Sequence, residues 1–394
     1  MMEPSKSNDQ VDLGRSTPHR ASLKALALLF LKLGTIAFGG PAAHIALMQQ
    51  EVVERRHWLS QQEFLDLLGA TNLIPGPNST ELAIHIGYRQ GGWRGLIVAG
   101  ACFILPAMLM VMSCGWAYVR YGQLPVADGL LYGIKPVIIV IVAGALWQLC
   151  RTAIKTNLLA VFTVLAVVAI FLGINELVVL FLSGLLIAIV RSADNRSTGR
   201  LHSFVPILGA AGATAGVTAI PFSPSLLFFF FLKVGSVLFG SGYVLLAFLR
   251  ADLVERWGWM TESQLLDAVA IGQITPGPVF TTATFIGYTL GGPGAAGLAT
   301  VGIFLPAFLF VALSAPFLPR RRESRIAGGF LDGVNAASLA LMFVVSWELC
   351  SVAIVDALTV GIAIFAALLL FRYRLNTMWL IAGGAAAGLV KSLF

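Results

Sequence analysis

Residues 30–40 read FLKLGTIAFGG, and residues 231–241 read FLKVGSVLFGS. Shifting the chain by 201 places lays Lys32 on Lys233, Gly34 on Gly235, Phe38 on Phe239 and Gly39 on Gly240. The same shift lays Glu54, Arg55 and Trp58 on Glu255, Arg256 and Trp259, and Asp66 on Asp267. It also lays Pro75-Gly76-Pro77 on Pro276-Gly277-Pro278. One residue is then lost. A shift of 200 continues the match through Ile86-Gly87-Tyr88 with Ile286-Gly287-Tyr288, Leu105-Pro106-Ala107 with Leu305-Pro306-Ala307, and Trp147 and Cys150 with Trp347 and Cys350. Repetition of this length is a fold-level signal, read before any single motif. It predicts a polar tail (1–21) and two copies of one unit (22–190 and 225–394). Between them lies a linker (191–224) with an apolar run at about 204–220.

Composition says where such a unit lives. Of 394 residues, 58% are hydrophobic and only 11% charged, against roughly 25% charged in a soluble domain. The mean hydropathy is +0.86. A water-facing surface of this size cannot be covered, and disorder, coiled coil, collagen and disulfide scaffolds are excluded. An all-α polytopic membrane protein remains. The net charge of +7 is scattered through short loops, which suits lipid headgroups rather than nucleic acid. The four cysteines, Cys102, Cys114, Cys150 and Cys350, form no CxxC pair and read as packing residues. Lys32 inside the first apolar run argues against a removable signal peptide.

Loop charges predict how the copies sit. Arg89 and Arg94 precede the run at 95–117, whereas Thr289 to Gly294 carry no basic residue. Arg120 stands alone where the second copy has Arg320, Arg321, Arg322 and Arg325. Arg151 and Lys155 face only Asp356, and Gly173-Ile174-Asn175 face Arg372 and Arg374. All four loops swap preference, the sign of inverted-topology repeats. Six spans per copy and one in the linker give about thirteen transmembrane helices (6+1+6). The N-terminus is then cytoplasmic, after Arg15, Arg20 and Lys24, and the C-terminus outside. Within 40–90 and 241–290 two schemes stay open: a crossing followed by a broken segment, or two crossings followed by a re-entrant hairpin.

The candidate site follows from the breaks. Each Pro-Gly-Pro interrupts an apolar helical stretch, because proline lacks a donor and pushes the residue before it out of the α region. A half-helix can start just after, with Asn78, Ser79 and Thr80, or Thr281, in its first turn. Its free N–H groups and positive dipole end suit an anion. Lys32 and Lys233 lie inside apolar runs, where a lysine costs roughly 2.5–3.5 kcal/mol. They must face a wet interior or snorkel to an interface. Gly39, Gly40 and Gly240 end the same helices and are candidate flexible points and backbone ligands. Glu81, His85 and His44 occur in the first copy only, opposite Thr282, Phe285 and Leu245. They are candidates for proton coupling or for a satisfied buried pair. Asp66 and Asp267 with Arg55 and Arg256 are candidate interfacial ion pairs. No metal site is expected, since HExxH is absent and Glu81 with His85 is too small a set. No Walker loop, GxGxxG after a strand or GxSxG is present. No cofactor is expected, and ATP-driven pumping within this chain is excluded.

Phe38-Gly39-Gly40-Pro41 followed by Pro75-Gly76-Pro77, and their weaker second copies, resemble the chromate ion transporter (CHR) family in its long, two-domain form. Glu54, Arg55, Trp58, Phe64, Ile86-Gly87-Tyr88 and Leu105-Pro106-Ala107 fit the same pattern, over nearly the whole chain. The resemblance implies a cell-membrane carrier that exports chromate and confers chromate resistance, with sulfate as the analogue and halves of opposite orientation. The departures at Gly242 (opposite Pro41), Thr282 and Phe285 place the coupling groups in the first half. A dianion leaving an inside-negative cell gains roughly 4.6 kcal/mol at ~100 mV, about a thousandfold in concentration. The alternatives are a sulfate or other oxyanion exchanger, and an intramembrane enzyme on a lipid-linked phosphate using Glu81, His85 and His44. Expected partners are the oxyanion and membrane lipids, with a second copy of the chain as a further candidate.

Overall fold

The computed structural model describes residues 21–38, 40–72, 74–122, 124–193, 221–238, 244–316, 325–373 and 375–393. The tail, the linker run at 204–220, Gly39, Gly240, Gly242, the Arg320–Arg322 loop and Arg374 lie outside them. The described residues form helices and connecting turns with no strand.

The repeat is visible element by element. The first copy runs α1 (Leu23–Ile36), α2 (Gly40–Gln49) continuing as a π-helical turn (Gln50–Arg55), α3 (Gln61–Thr71), α4 (Asn78–Tyr121), α5 (Pro125–Ala153), α6 (Asn157–Phe171) and α7 (Glu176–Ala193). The second copy runs α8 (Pro224–Val237), α9 (Leu245–Leu249) with its π turn (Arg250–Arg256), α10 (Glu262–Ile274), α11 (Thr282–Ser314), α12 (Arg325–Ala353), α13 (Ala357–Tyr373) and α14 (Thr377–Ser392). Equivalent starts use equivalent chemistry. Ser60 and Glu63 close a capping box on α3, and Thr261 and Gln264 close the same box on α10.

The apparent length of α4 and α11 hides a reversal. Gly92 sits at φ 59°, ψ −146°, outside the helical region. The Tyr88 ring then meets Trp93 edge-on at 5.4 Å, and Gly87 packs on the Gly95 backbone so closely that a Cβ would collide. In α11, Gly292 has φ 73°, and Thr284 hydrogen-bonds Thr300 at 2.7 Å. Sixteen residues of straight helix would hold those hydroxyls about 24 Å apart. Each element is therefore two antiparallel arms, 78–91 with 93–121 and 282–290 with 293–314. Positive φ makes glycine the fitting residue at both turns.

The short arm pairs with α3 as a hairpin. Arg89 reaches Glu63 at 2.7 Å, and Gln90 donates to the Trp58 carbonyl at 2.7 Å, so both ends of the hairpin meet at its base. Gln90 also accepts from the Ala21 N–H at 3.1 Å, placing the start of α1 there too. α1 has 14 residues, about 21 Å, against a hydrocarbon core of ~30 Å. Its end turns back into α2, whose π turn brings Glu51 to Lys32 at 2.8 Å. The described residues of 21–91 thus form two successive hairpins on a common base, the order of elements in the second of the two open schemes.

The all-α class and the repeated unit are found as expected, and the number of crossings is bounded by helix length. Among the described residues four stretches are long and apolar enough to cross a bilayer, 78–121 and 279–314, each of which folds back at its glycine turn and has a long arm (93–121 and 293–314), and the unbroken helices 128–151 and 328–353. Residues 157–171, 176–190, 224–237 and 357–373 form shorter apolar helices.

The copies interlock. α7 lies on α12 while α14 lies on α5, α6 on α12 while α13 lies on α5, and α4 meets α11 directly. α5 and α12 run antiparallel. Tyr132 near the start of α5 bonds Asp356 beyond the end of α12 at 2.6 Å, and Lys155 beyond the end of α5 bonds Asp332 near the start of α12 at 2.9 Å. Tyr118, near the far end of α4, donates to Asp267 of α10 at 2.8 Å. The second copy's hairpins thus have their base at the opposite end of the molecule from the first copy's.

Candidate functional site

The hairpin tips of the two copies meet. α1 stops at Ala37 and α8 at Leu238, both in extended backbone, so their carbonyls no longer point into a helix. Gly277 N–H donates to Ala37 O at 2.9 Å, and Gly76 N–H donates to Leu238 O at 2.8 Å. Residues 37 and 238, like 76 and 277, are related by the repeat. The bond and its partner are one contact made twice, as at an isologous interface. Both glycines have positive φ, 140° and 91°. Space requires glycine as well, since a Cβ on Gly76 would strike the Glu81 carboxylate, and one on Gly277 would lie 2.6 Å from the Ala107 Cβ. The Leu-Pro-Ala motif acquires a structural role here, because Ala107 and Ala307 are the surfaces on which the other copy's Pro-Gly-Pro rests.

Behind each break stands a half-helix. Pro77 caps the arm 78–91 in extended conformation, and Pro278 precedes a short 3₁₀ turn (Val279–Thr281) that leads into α11. The Thr80 amide turns back on the Pro77 carbonyl at 2.8 Å and the Thr281 amide on the Pro278 carbonyl at 3.0 Å, which leaves the amides of Asn78 and Ser79 as the orphan donors at the mouth of the first arm. Asn78 Nδ2 donates to Asn72 Oδ1 at 2.9 Å, while Thr281 Oγ1 donates to the Pro278 carbonyl at 2.8 Å. Ser79 and Thr80 are buried, and the Thr80 hydroxyl has no partner.

The two copies differ in what lies inside. Glu81 is 0% exposed and His85 1%. Neither carboxylate oxygen and neither ring nitrogen finds a hydrogen-bond partner among the described residues. The satisfied Glu81–His85 pair is therefore not formed. His44 is also buried; its Nε2 lies 3.0 Å from the Ala37 carbonyl, and its ring stands edge-on to Phe103. In the second copy Thr282 donates to the Val279 carbonyl at 2.8 Å, and apolar Phe285 and Leu245 replace the imidazoles.

Lys32 and Lys233 stand about 7.5 Å short of the helix ends and are already paired. Glu51 takes Lys32 at 2.8 Å, Arg55 at 3.0 Å and Arg56 at 3.3 Å. Asp252 takes Lys233, and Arg256 at 3.0 Å. Each cluster stays net positive. Sequence reasoning missed these acids, although Glu51 and Asp252 share the 201 shift. The pairs of Asp66 with Arg55 and of Asp267 with Arg256 are corrected. Both arginines are held by the π-turn acids one turn away, Asp66 accepts from Gln62 at 3.0 Å, and Asp267 is taken by Lys135 at 3.2 Å. A further cluster was also missed. Arg250 binds Glu255, Glu262 at 2.8 Å and Glu348 at 2.6 Å beside a cleft of about 630 Å³. The first copy has Gln49 and Gln61 at the equivalent places, bonded at 3.2 Å.

Comparison with known proteins places this architecture. The sequence pattern of the chromate transporter family matches residues 24–189 and again 225–389. A chromate transport protein of Cupriavidus metallidurans is 34% identical over 374 residues, covering 94% of this chain and 93% of that one. One of Pseudomonas aeruginosa is 32% identical over 404 residues, covering 98% and 96%. An uncharacterised transporter of Bacillus subtilis is 35% identical over 130 residues, covering 33% of this chain and 73% of its own length. No solved structure matches the chain. The family is one of membrane transporters rather than enzymes, which removes the lipid-phosphate enzyme alternative. With both repeats matched and full-length relatives above 30% identity, the chain belongs to the chromate transporter family.

Proposed function

We propose that the chain carries chromate, a tetrahedral oxyanion dianion, out of the cytoplasm across the cell membrane by alternating access, giving chromate resistance. The observation that carries the reading is the reciprocal bond at the centre, Gly76 to Leu238 and Gly277 to Ala37. Two N–H donors at the mouths of two half-helices are there occupied by neutral carbonyls. A charged oxyanion is a stronger acceptor than a carbonyl. On entering, it takes these donors, the amides of Asn78 and Ser79 and the side-chain hydroxyls of Thr80 and Thr281, and it frees the two helix ends. Binding and loosening of the contact between copies are then one event. The net positive clusters around Lys32 and Lys233 supply the long-range field. In this proposal Gly39, Gly40 and Gly240, which follow the ends of α1 and α8 in the sequence, serve as hinges.

Opposite orientation of the repeats in the bilayer is part of the proposal. The swapped loop charges support it, as do hairpin bases at opposite ends of the molecule. With the N-terminus cytoplasmic, the first copy's hairpins open inward and the second copy's outward. Membrane potential drives the dianion outward at about 2.3 kcal/mol per charge per ~100 mV. Sulfate, of the same shape and charge, is the expected competitor.

The test is uptake of labelled chromate by everted vesicles under separately imposed voltage and pH gradients. Accumulation that follows a lumen-positive voltage and is reduced by excess sulfate is expected. Accumulation no greater than in vesicles lacking the protein, or indifferent to voltage, overturns the reading.

A further inference from the structure

The first Pro-Gly-Pro break already holds an anion's functional group. Glu81 belongs to the opening turns of the half-helix 78–91, and its Oε1 lies so close to Gly76 that a Cβ there would overlap it. Gly76 is the residue whose N–H bonds Leu238. Glu81 is fully buried, and both its oxygens lack a partner. An ionised carboxylate so placed is uncompensated, so this arrangement suits the neutral acid. Once ionised, the side chain would seek the donors that the oxyanion needs, namely the Gly76 amide and the amides of Asn78 and Ser79 at the mouth of the arm. The second break has no such group, because Thr282 is satisfied by the Val279 carbonyl.

We infer that Glu81 is a built-in competitor for the transported anion, so that oxyanion binding at the first half-helix and a proton on Glu81 come together. This rests on the reading that the half-helix mouths hold the oxyanion. Other titratable groups on the elements around this arm are mostly engaged. Lys32 bonds Glu51, Glu63 bonds Arg89, Asp66 bonds Gln62 and Asp267 bonds Lys135. Lys24 stands at the outer start of α1, Glu262 is held by Arg250, and Tyr288 lies on the facing arm of α11. His85 on the same arm and His44 on α2 are the neighbours able to pass a proton on, each with a ring nitrogen lacking a partner. The linkage is reciprocal: the anion favours the protonated acid, and the protonated acid favours the anion.

The experiment is titration calorimetry on the full-length protein in lipid nanodiscs, in buffers of different ionisation enthalpy. Sulfate serves as a dianion whose charge is constant over the range, with chromate as the second ligand. Uptake of on the order of one proton per anion is expected, with affinity falling about tenfold per pH unit on the alkaline side. Glu81→Gln should bind with pH-independent affinity and no proton uptake. Glu81→Thr, which installs the second copy's residue, should do the same and guards against a misfolded amide variant. Anion binding by the wild type without proton uptake overturns the inference alone, as does uptake that persists in both variants. No anion binding at any pH overturns the carrier reading as well.

Discussion

The amide of Gly76 donates at 2.8 Å to the carbonyl of Leu238, a residue of the other copy. Repeated as Gly277 to Ala37, this bond makes the centre a junction in which each half closes the other. Glycine is required twice over there, by backbone angle and by space.

The two glycines should tolerate a methyl group unequally. A Cβ on Gly277 meets Ala107 Cβ and the Gly34 carbonyl, neither of which can swing aside, whereas one on Gly76 meets the end of the Glu81 side chain. Positive φ costs an L-residue about 1–2 kcal/mol in either case. Gly277→Ala should therefore lower thermal stability more than Gly76→Ala, and both should depress chromate transport. Equal melting temperatures for the two variants would contradict the packing described.

At the base of the first hairpin, Gln90 is buried and joins two backbone groups, whereas the Arg89–Glu63 pair is half exposed. Exposed pairs contribute about 0–1 kcal/mol, while stranding buried backbone groups costs about 1–3 kcal/mol. Gln90→Leu should destabilise clearly more than Arg89→Gln in detergent melts, and only Arg89→Gln should lose its effect at high salt.

Lys32 and Lys233 differ in how well their acids are backed. Removing Lys32 leaves Glu51 with Arg55 and Arg56, but removing Lys233 leaves Asp252 with Arg256 alone among the pairs described. Lys32→Met should keep chromate transport within about threefold of wild type, a change under ~1 kcal/mol, and Lys233→Met should lose more. Complete loss of transport in well-inserted Lys32→Met would instead make that ammonium a direct ligand.

Arg250 is only 15% exposed and gathers three glutamates. Arg250→Gln copies the first copy's Gln49 but leaves three partly exposed acids facing one another, and it should lower the melting temperature. Adding Glu348→Gln and Glu262→Gln should recover much of the loss, because the cluster then becomes the amide set of the other end. A triple variant as unstable as the single one would refute the account.

Asp356 lies in the turn between α12 and α13. The Tyr132 hydroxyl, the Thr359 amide and Lys391 all donate to it and hold its carboxyl below the usual aspartate range. A carboxyl depressed in the fold stabilises above its unfolded value and loses that contribution as pH falls through the acid range. The melting temperatures of wild type and Asp356→Asn should therefore differ most near neutrality and converge below about pH 4. A gap that widens on acidification would reverse the sign.

Much of the fold was legible because the repeat is written in residues with special backbone needs. Gly34, the Pro-Gly-Pro triplets and Leu105-Pro106-Ala107 recur at fixed shifts, and all lie at the junction. The reversal at Gly92 was legible as a loop, since Arg89, Gln90 and Arg94 flank it and Gly91-Gly92 recurs as Gly291-Gly292; what stayed hidden was that the arms before it fold back as short hairpins. The partners of the lysines were hidden because Glu51 lies on a π turn, where α-helical spacing does not apply. The isolation of Glu81 depends on what fails to surround it, which only three-dimensional packing reveals.

The exchange of helices sets an order of assembly. Gly129 and Gly133 of α5 press against Gly388 and Gly384 of α14 with no room for a side chain. That seam stays open while more than half the chain is still on the ribosome, and the early half must wait in the lipid, unfinished, for its late companion.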